Sequence, residues 1–82
     1  GKAISLPKPE YPAAARAVRA NGAVSVQVLV DENGNVSGAR AISGHPLLRG
    51  AAESAAARAK FSPTQLAGQP VKVRGVLTYV FK

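Results

Sequence analysis

The stretch "AVSVQVLVDENGNV", residues 23–36, restricts the fold of this chain more than any other part of it. Val24, Val26, Val28 and Val30 alternate strictly with Ser25, Gln27 and Leu29, which is the period of a strand with one buried face. Asn33-Gly34 follows and supplies the residues that tolerate positive φ in a tight hairpin turn. The return strand runs over residues 36–42, and Gly38 within it marks a bulge.

The flanking segments read as helices and one more strand. Residues 1–10, "GKAISLPKPE", carry Pro7 and Pro9 and no apolar period, so they read as the extended end of a linker rather than an element. "YPAAARAVRANG" predicts a short helix with Pro12 in its first turn and Asn21-Gly22 as its C-terminal cap. Ala15 and Val18 are then expected to face the core, and Arg16 and Arg19 water. In "SGHPLLRGAAESAAARAKFSP" the residues Leu48, Ala51, Ala52, Ala55 and Ala59 hold helical spacing. Arg49 and Glu53 are placed to pair at i, i+4 on the outer face, and Gly50 weakens the helix by about 1 kcal/mol. After a polar loop containing "AGQP", the chain finishes on "PVKVRGVLTYVFK", residues 70–82. Val71, Val73, Leu77, Tyr79 and Phe81 share its apolar face, while Lys72, Arg74, Val76, Thr78, Val80 and Lys82 share the other.

The element order is α-β-β-α-β, an α+β fold. A helix of about fifteen residues spans ~22 Å and carries the chain back along the sheet. Full antiparallel pairing then puts the first strand in the middle of a three-stranded antiparallel sheet of order 2-1-3. Right-handed crossover sets the long helix on one face, and the short helix joins it there. The domain covers residues 11–82. Its last strand is a sheet edge, and a long free edge either is guarded by charge or accepts an added strand.

Several function classes are disfavoured. The chain has no cysteine and a single histidine, so neither a disulfide nor a structural zinc site can be built. His45, between Gly44 and Pro46, suits a turn or a helix cap better than catalysis. Asp31 and Glu32 belong to the hairpin turn, and "GNVSG" lacks the lysine and glycine spacing of a phosphate loop. No enzyme activity, metal, cofactor or small-molecule substrate is expected. The net charge of +7 suits an anionic partner: nucleic acid, a membrane surface or an acidic protein segment. The cations are dispersed, however, and the sheet lacks the exposed aromatic pairs on which single-stranded bases stack. Nucleic acid is therefore the weaker reading. No apolar run approaches the ~18 residues of a membrane span. The chain opens without methionine and reads as an excised fragment, with any anchor upstream.

The motifs "YPAAARAVRANGAVSVQVLVDENGNV", "SGHPLL", "FSP", "GQPV" and the terminal "VF" together resemble the C-terminal domain of TonB-type energy transducers. That resemblance implies a periplasmic domain, tethered to the inner membrane by an N-terminal segment and working with ExbB and ExbD. Its target would be the TonB box of outer-membrane transporters for siderophores and other scarce nutrients, taken as an added strand. The implied contact residues are Tyr11, Pro12, Val71, Lys72, Val73, Arg74, Gly75, Val76, Leu77, Thr78, Tyr79, Val80, Phe81 and Lys82. A homodimer of the isolated domain is compatible with a free edge. Two departures stand out. Ala14 occupies the place of an arginine that some relatives carry three residues after the tyrosine, with Arg16 the nearest cation. Arg49-Gly50 replaces an acidic start to the long helix. A TolA-like domain, or the domain of a membrane-bound sensor, fits the same pattern.

Overall fold

The structure, a computed structural model, describes residues 3–82. Its elements run β1 (Ala3–Ser5), α1 (Ala13–Ala17), β2 (Gly22–Val30), β3 (Val36–Ser43), α2 (Pro46–Ala57), β4 (Lys60–Phe61), β5 (Thr64–Leu66), β6 (Gln69–Val71) and β7 (Val73–Phe81). The main sheet has the order β3-β2-β7 with antiparallel neighbours throughout, so the strand carrying the valine alternation is central as expected.

Alternation decides the packing. Val24, Val26, Val28 and Val30 are all buried, whereas Leu29 on the opposite face is 46% exposed. α2 lies over β2 and β3 and presents Leu48, Ala52 and Ala56 to the valines. Alanine at these positions lets the helix sit close to the sheet. Ala15 of α1 joins the same cluster, so both helices occupy one face. The other face of the sheet is open.

The hairpin is built differently from the sequence reading. Gly34 has φ +85°, but Asn33 stays outside the left-handed region. The Asp31 carboxylate instead accepts the N–H groups of Asn33 and Asn35, each at 2.9 Å, and the Gly34 N–H donates to the Asp31 carbonyl at 3.0 Å. This is a three-residue loop with glycine in the left-handed position, and Asp31 rather than Asn33 holds it. Gly34 is fixed a second time. Its carbonyl accepts the Phe61 N–H at 2.8 Å, and a Cβ there would lie 1.9 Å from the Phe61 carbonyl oxygen. The register of β2 against β3 shifts at Leu29/Val30, beside Gly38, as the bulge reading required.

α1 is shorter than expected and stops at Ala17. Arg19, at φ +55°, takes the left-handed position usually given to glycine. The Arg19 N–H donates to Arg16 and the Ala20 N–H to Ala15, which closes a Schellman cap well before Asn21-Gly22. Val18 is consequently turned outward and 60% exposed rather than packed in the core. Pro12 precedes the helix with an extended ψ of 142°. α2 begins as its sequence indicated, with the His45 Nδ1 accepting the Leu47 N–H at 3.1 Å. Arg49 and Glu53 do not pair with each other in the way their spacing suggested. The Arg49 Nε donates to the Gly44 carbonyl, and Glu53 accepts the Ala41 N–H of β3 at 2.7 Å.

Four short strands, β1, β4, β5 and β6, carry pairing that the sequence reading left out. Ala3–Ser5, read as linker, pairs with β4. The "AGQP" loop is a hairpin in which Ala67 and Gly68 both have positive φ, at 52° and 79°, between β5 and β6. The terminal strand is shorter as a result. Val71 belongs to β6 opposite Thr64, Lys72 lies at the break, and the main-sheet strand is Val73–Phe81.

Two substitutions test this account. Nothing lies within 4 Å of a Cβ at Gly50, so Gly50→Ala should stabilise the domain by about 1 kcal/mol in denaturant melts. Gly34→Ala should destabilise it by more than about 2 kcal/mol, through positive φ and collision with Phe61.

Candidate functional site

β7 pairs with β2 over nine consecutive residues, from Gly22↔Phe81 to Val30↔Val73, with no break in register. Among the described residues no strand pairs with its other side. The opposite edge of the sheet is different. β3 is bulged at two places against β2, and the carboxylate of Glu53 takes its Ala41 N–H. Bulges and capped amides are the usual ways to close an edge. β7 has neither, so the sheet offers one regular edge for main-chain pairing.

Side chains along β7 alternate as the sequence indicated. Val73, Leu77 and Tyr79 are half-buried against the core and Phe81 is buried. Arg74, Val76, Thr78, Val80 and Lys82 are exposed. Gly75 falls on the core-facing side opposite Val28. Tyr11 and Pro12 stand at the C-terminal end of the strand. The Tyr11 ring meets Phe81 edge to face at a centroid distance of 5.5 Å, and its hydroxyl donates to the Ala20 carbonyl. The Arg16 guanidinium lies 5.3 Å from the Tyr11 ring centroid, so the cation nearest the missing arginine position is stacked on that tyrosine. The fold thus brings Tyr11, Pro12 and residues 73–82 together. It separates Val71 and Lys72 from them by the break before β7.

The sequence reading missed one part of this region. A groove of about 490 Å³ lies between residues 6–9 and the last residues of β7, with Lys8 and Lys82 among its lining. "LPKP" carries no periodic signal, and it is held between the β1–β4 pairing on one side and the Tyr11 anchor on the other. All four aromatic rings of the chain belong to or pack against the core, which leaves none as a base-stacking platform.

The Tyr79 hydroxyl is buried and meets no protein hydrogen-bond partner among the described residues. Burial raises its pKa above the ordinary tyrosine value, and the charge of Arg58 opposes that rise.

The model of the Gram-negative bacterial TonB protein C-terminal family matches residues 7–82. The chain belongs to this family. Its fold is similar to the solution structure of the Pseudomonas aeruginosa TonB C-terminal domain, with a TM-score of 0.74 and 24% identity, over 99% of this chain and 84% of that one. No curated protein matches the chain. The TonB C-terminal family is non-enzymatic, and this chain is a TonB-type periplasmic domain.

Tyr11 and Tyr79 should respond oppositely to loss of the hydroxyl. Tyr11→Phe removes a made hydrogen bond and should cost about 1 kcal/mol, whereas Tyr79→Phe should be neutral or slightly stabilising in the same melts. The folded Tyr79 phenol keeps its proton to higher pH than the unfolded one. The associated stability is therefore complete below about pH 10, the unfolded value, and declines as pH rises through the folded one. Tyr79→Phe should abolish that part of the decline.

Proposed function

We propose that this domain is a non-enzymatic adaptor that receives the TonB box of an outer-membrane transporter as a strand added to β7. Through an inner-membrane tether working with ExbB and ExbD, it passes on energy from the proton gradient for uptake of siderophores or other scarce nutrients. The observation that supports this reading best is the contrast between the two sheet edges. β7 is regular over nine residues and, among the described residues, unpaired on its outer side, while β3 is bulged and capped. Membership of the family agrees with it.

Within this reading the contact comprises Tyr11, Pro12 and residues 73–82. Val71 and Lys72 lie outside the main-sheet edge and contribute at most to its approach. Main-chain pairing supplies affinity with little dependence on sequence, and each hydrogen bond nets about 1 kcal/mol. A segment of about five to seven residues therefore binds modestly and reversibly, as a coupling that must engage and release requires.

Titration of the 15N-labelled domain with a transporter-derived box peptide tests the proposal. The largest amide shifts should fall on β7 and Tyr11, with β3 little changed. Shifts confined to the helices or to β3, or none at millimolar peptide, would refute it. Affinity should also fall only weakly with salt, unlike that of a nucleic-acid binder, which falls steeply.

A further inference from the structure

The core-facing side of β7 has a gap in it. Val73 and Leu77 project toward the valine layer, but between them stands Gly75, which has no side chain. The backbone does not require glycine here, since Gly75 lies outside the left-handed region. A Cβ at this position would meet only the Val28 Cγ2, at 3.9 Å, an ordinary van der Waals separation. The missing side chain leaves a cavity of about 160 Å³, with Val28 and Val30 as its floor and Val73, Leu77 and Phe61 as walls. α2 lies over β2 and β3 and leaves this part of the sheet uncovered.

Position makes the cavity more than a packing fault. Residues directly opposite each other on neighbouring strands point to the same face of the sheet. A strand added to β7 would set one residue across from Gly75, and its side chain would project onto the core-facing side beside the absent Cβ. An apolar cavity of roughly 150 Å³ accepts a benzene-sized guest, so this one has room for a branched aliphatic or phenyl group. Its lining is apolar apart from Thr64, and an amide or charged group would lose water there without full replacement.

We infer that the cavity at Gly75 is a side-chain pocket for the added strand, taking one leucine-, isoleucine- or phenylalanine-like residue of the partner and fixing the register in which it binds. This rests on the strand-addition reading above. Backbone pairing alone tolerates slippage by two residues, whereas one buried side chain selects a single alignment.

The test fills the pocket from the protein side. Gly75→Val suits a strand and enters open space, so its melting temperature should not fall below that of the wild type. A transporter-derived peptide of about seven residues and its single-alanine series are titrated against both 15N-labelled proteins. With the wild type, alanine at one apolar position should weaken binding about tenfold. With Gly75→Val the parent peptide should bind about tenfold more weakly, and the penalty at that position should shrink below about twofold. If both proteins shift along β7 and give the same alanine profile, the pocket is refuted while strand addition stands. If neither shows β7 shifts, strand addition fails and the pocket with it. If the wild type self-associates, Gly75→Val abolishes that and the profiles stay equal, the pocket belongs to a second copy and the inference is overturned.

Discussion

Everything in this domain depends on the burial of one face of β2. Its four valines are all buried beneath the helices, and Val26, Val28 and Val30 are paired with strands on both sides. Burying a valine contributes roughly 1.5–3 kcal/mol, a large share of the stability open to a domain this small. No disulfide or described metal cluster supplements it. The alanines of α2 follow from the same requirement, because larger residues would lift the helix off the valine ridge.

A central strand with two neighbours leaves two edges, and the chain treats them unequally. β3 is closed by irregularity. It is bulged beside Gly38 and again near Ile42, and Glu53 reaches down from α2 to occupy the Ala41 amide. β7 is kept straight by an unbroken register with β2, and Tyr11 and Phe81 anchor its end. The irregularities lie in β3 and in the loop held by Asp31 and Gly34.

What could be read from the sequence follows the range of each signal. The valine alternation is local and unambiguous, and it marked the strand that became central and its buried face, while the sheet order followed from antiparallel pairing and the helix face from right-handed crossover. The position of β7 as an edge followed from topology alone. Three features could not be read, each for a physical reason. Arg19 occupies a left-handed position that sequence preference assigns to glycine, so the cap was placed at Asn21-Gly22 and α1 drawn too long. Ala67 does the same in the β5–β6 turn, and a hairpin looked like a loop. Glu53 had a plausible partner in Arg49 one turn away, but a backbone amide distant in sequence competed for it and won. The gap at Gly75 was visible only as a glycine in a strand. Its meaning came from which side chains surround it.

An open edge must still avoid its own copies, and here the dispersed cations find a use that overall charge did not suggest. Two β7 edges meeting antiparallel can pair about several centres. Centred on Thr78, the pairing sets Arg74 of one copy opposite Lys82 of the other. Like charges directly across a pair of strands are unfavourable, so that register is penalised, by an amount that salt screens. A partner strand without cations at those positions meets no such penalty. Arg74 and Lys82 thus oppose that self-pairing without closing the edge, whereas a bulge or a covering helix would block every strand alike.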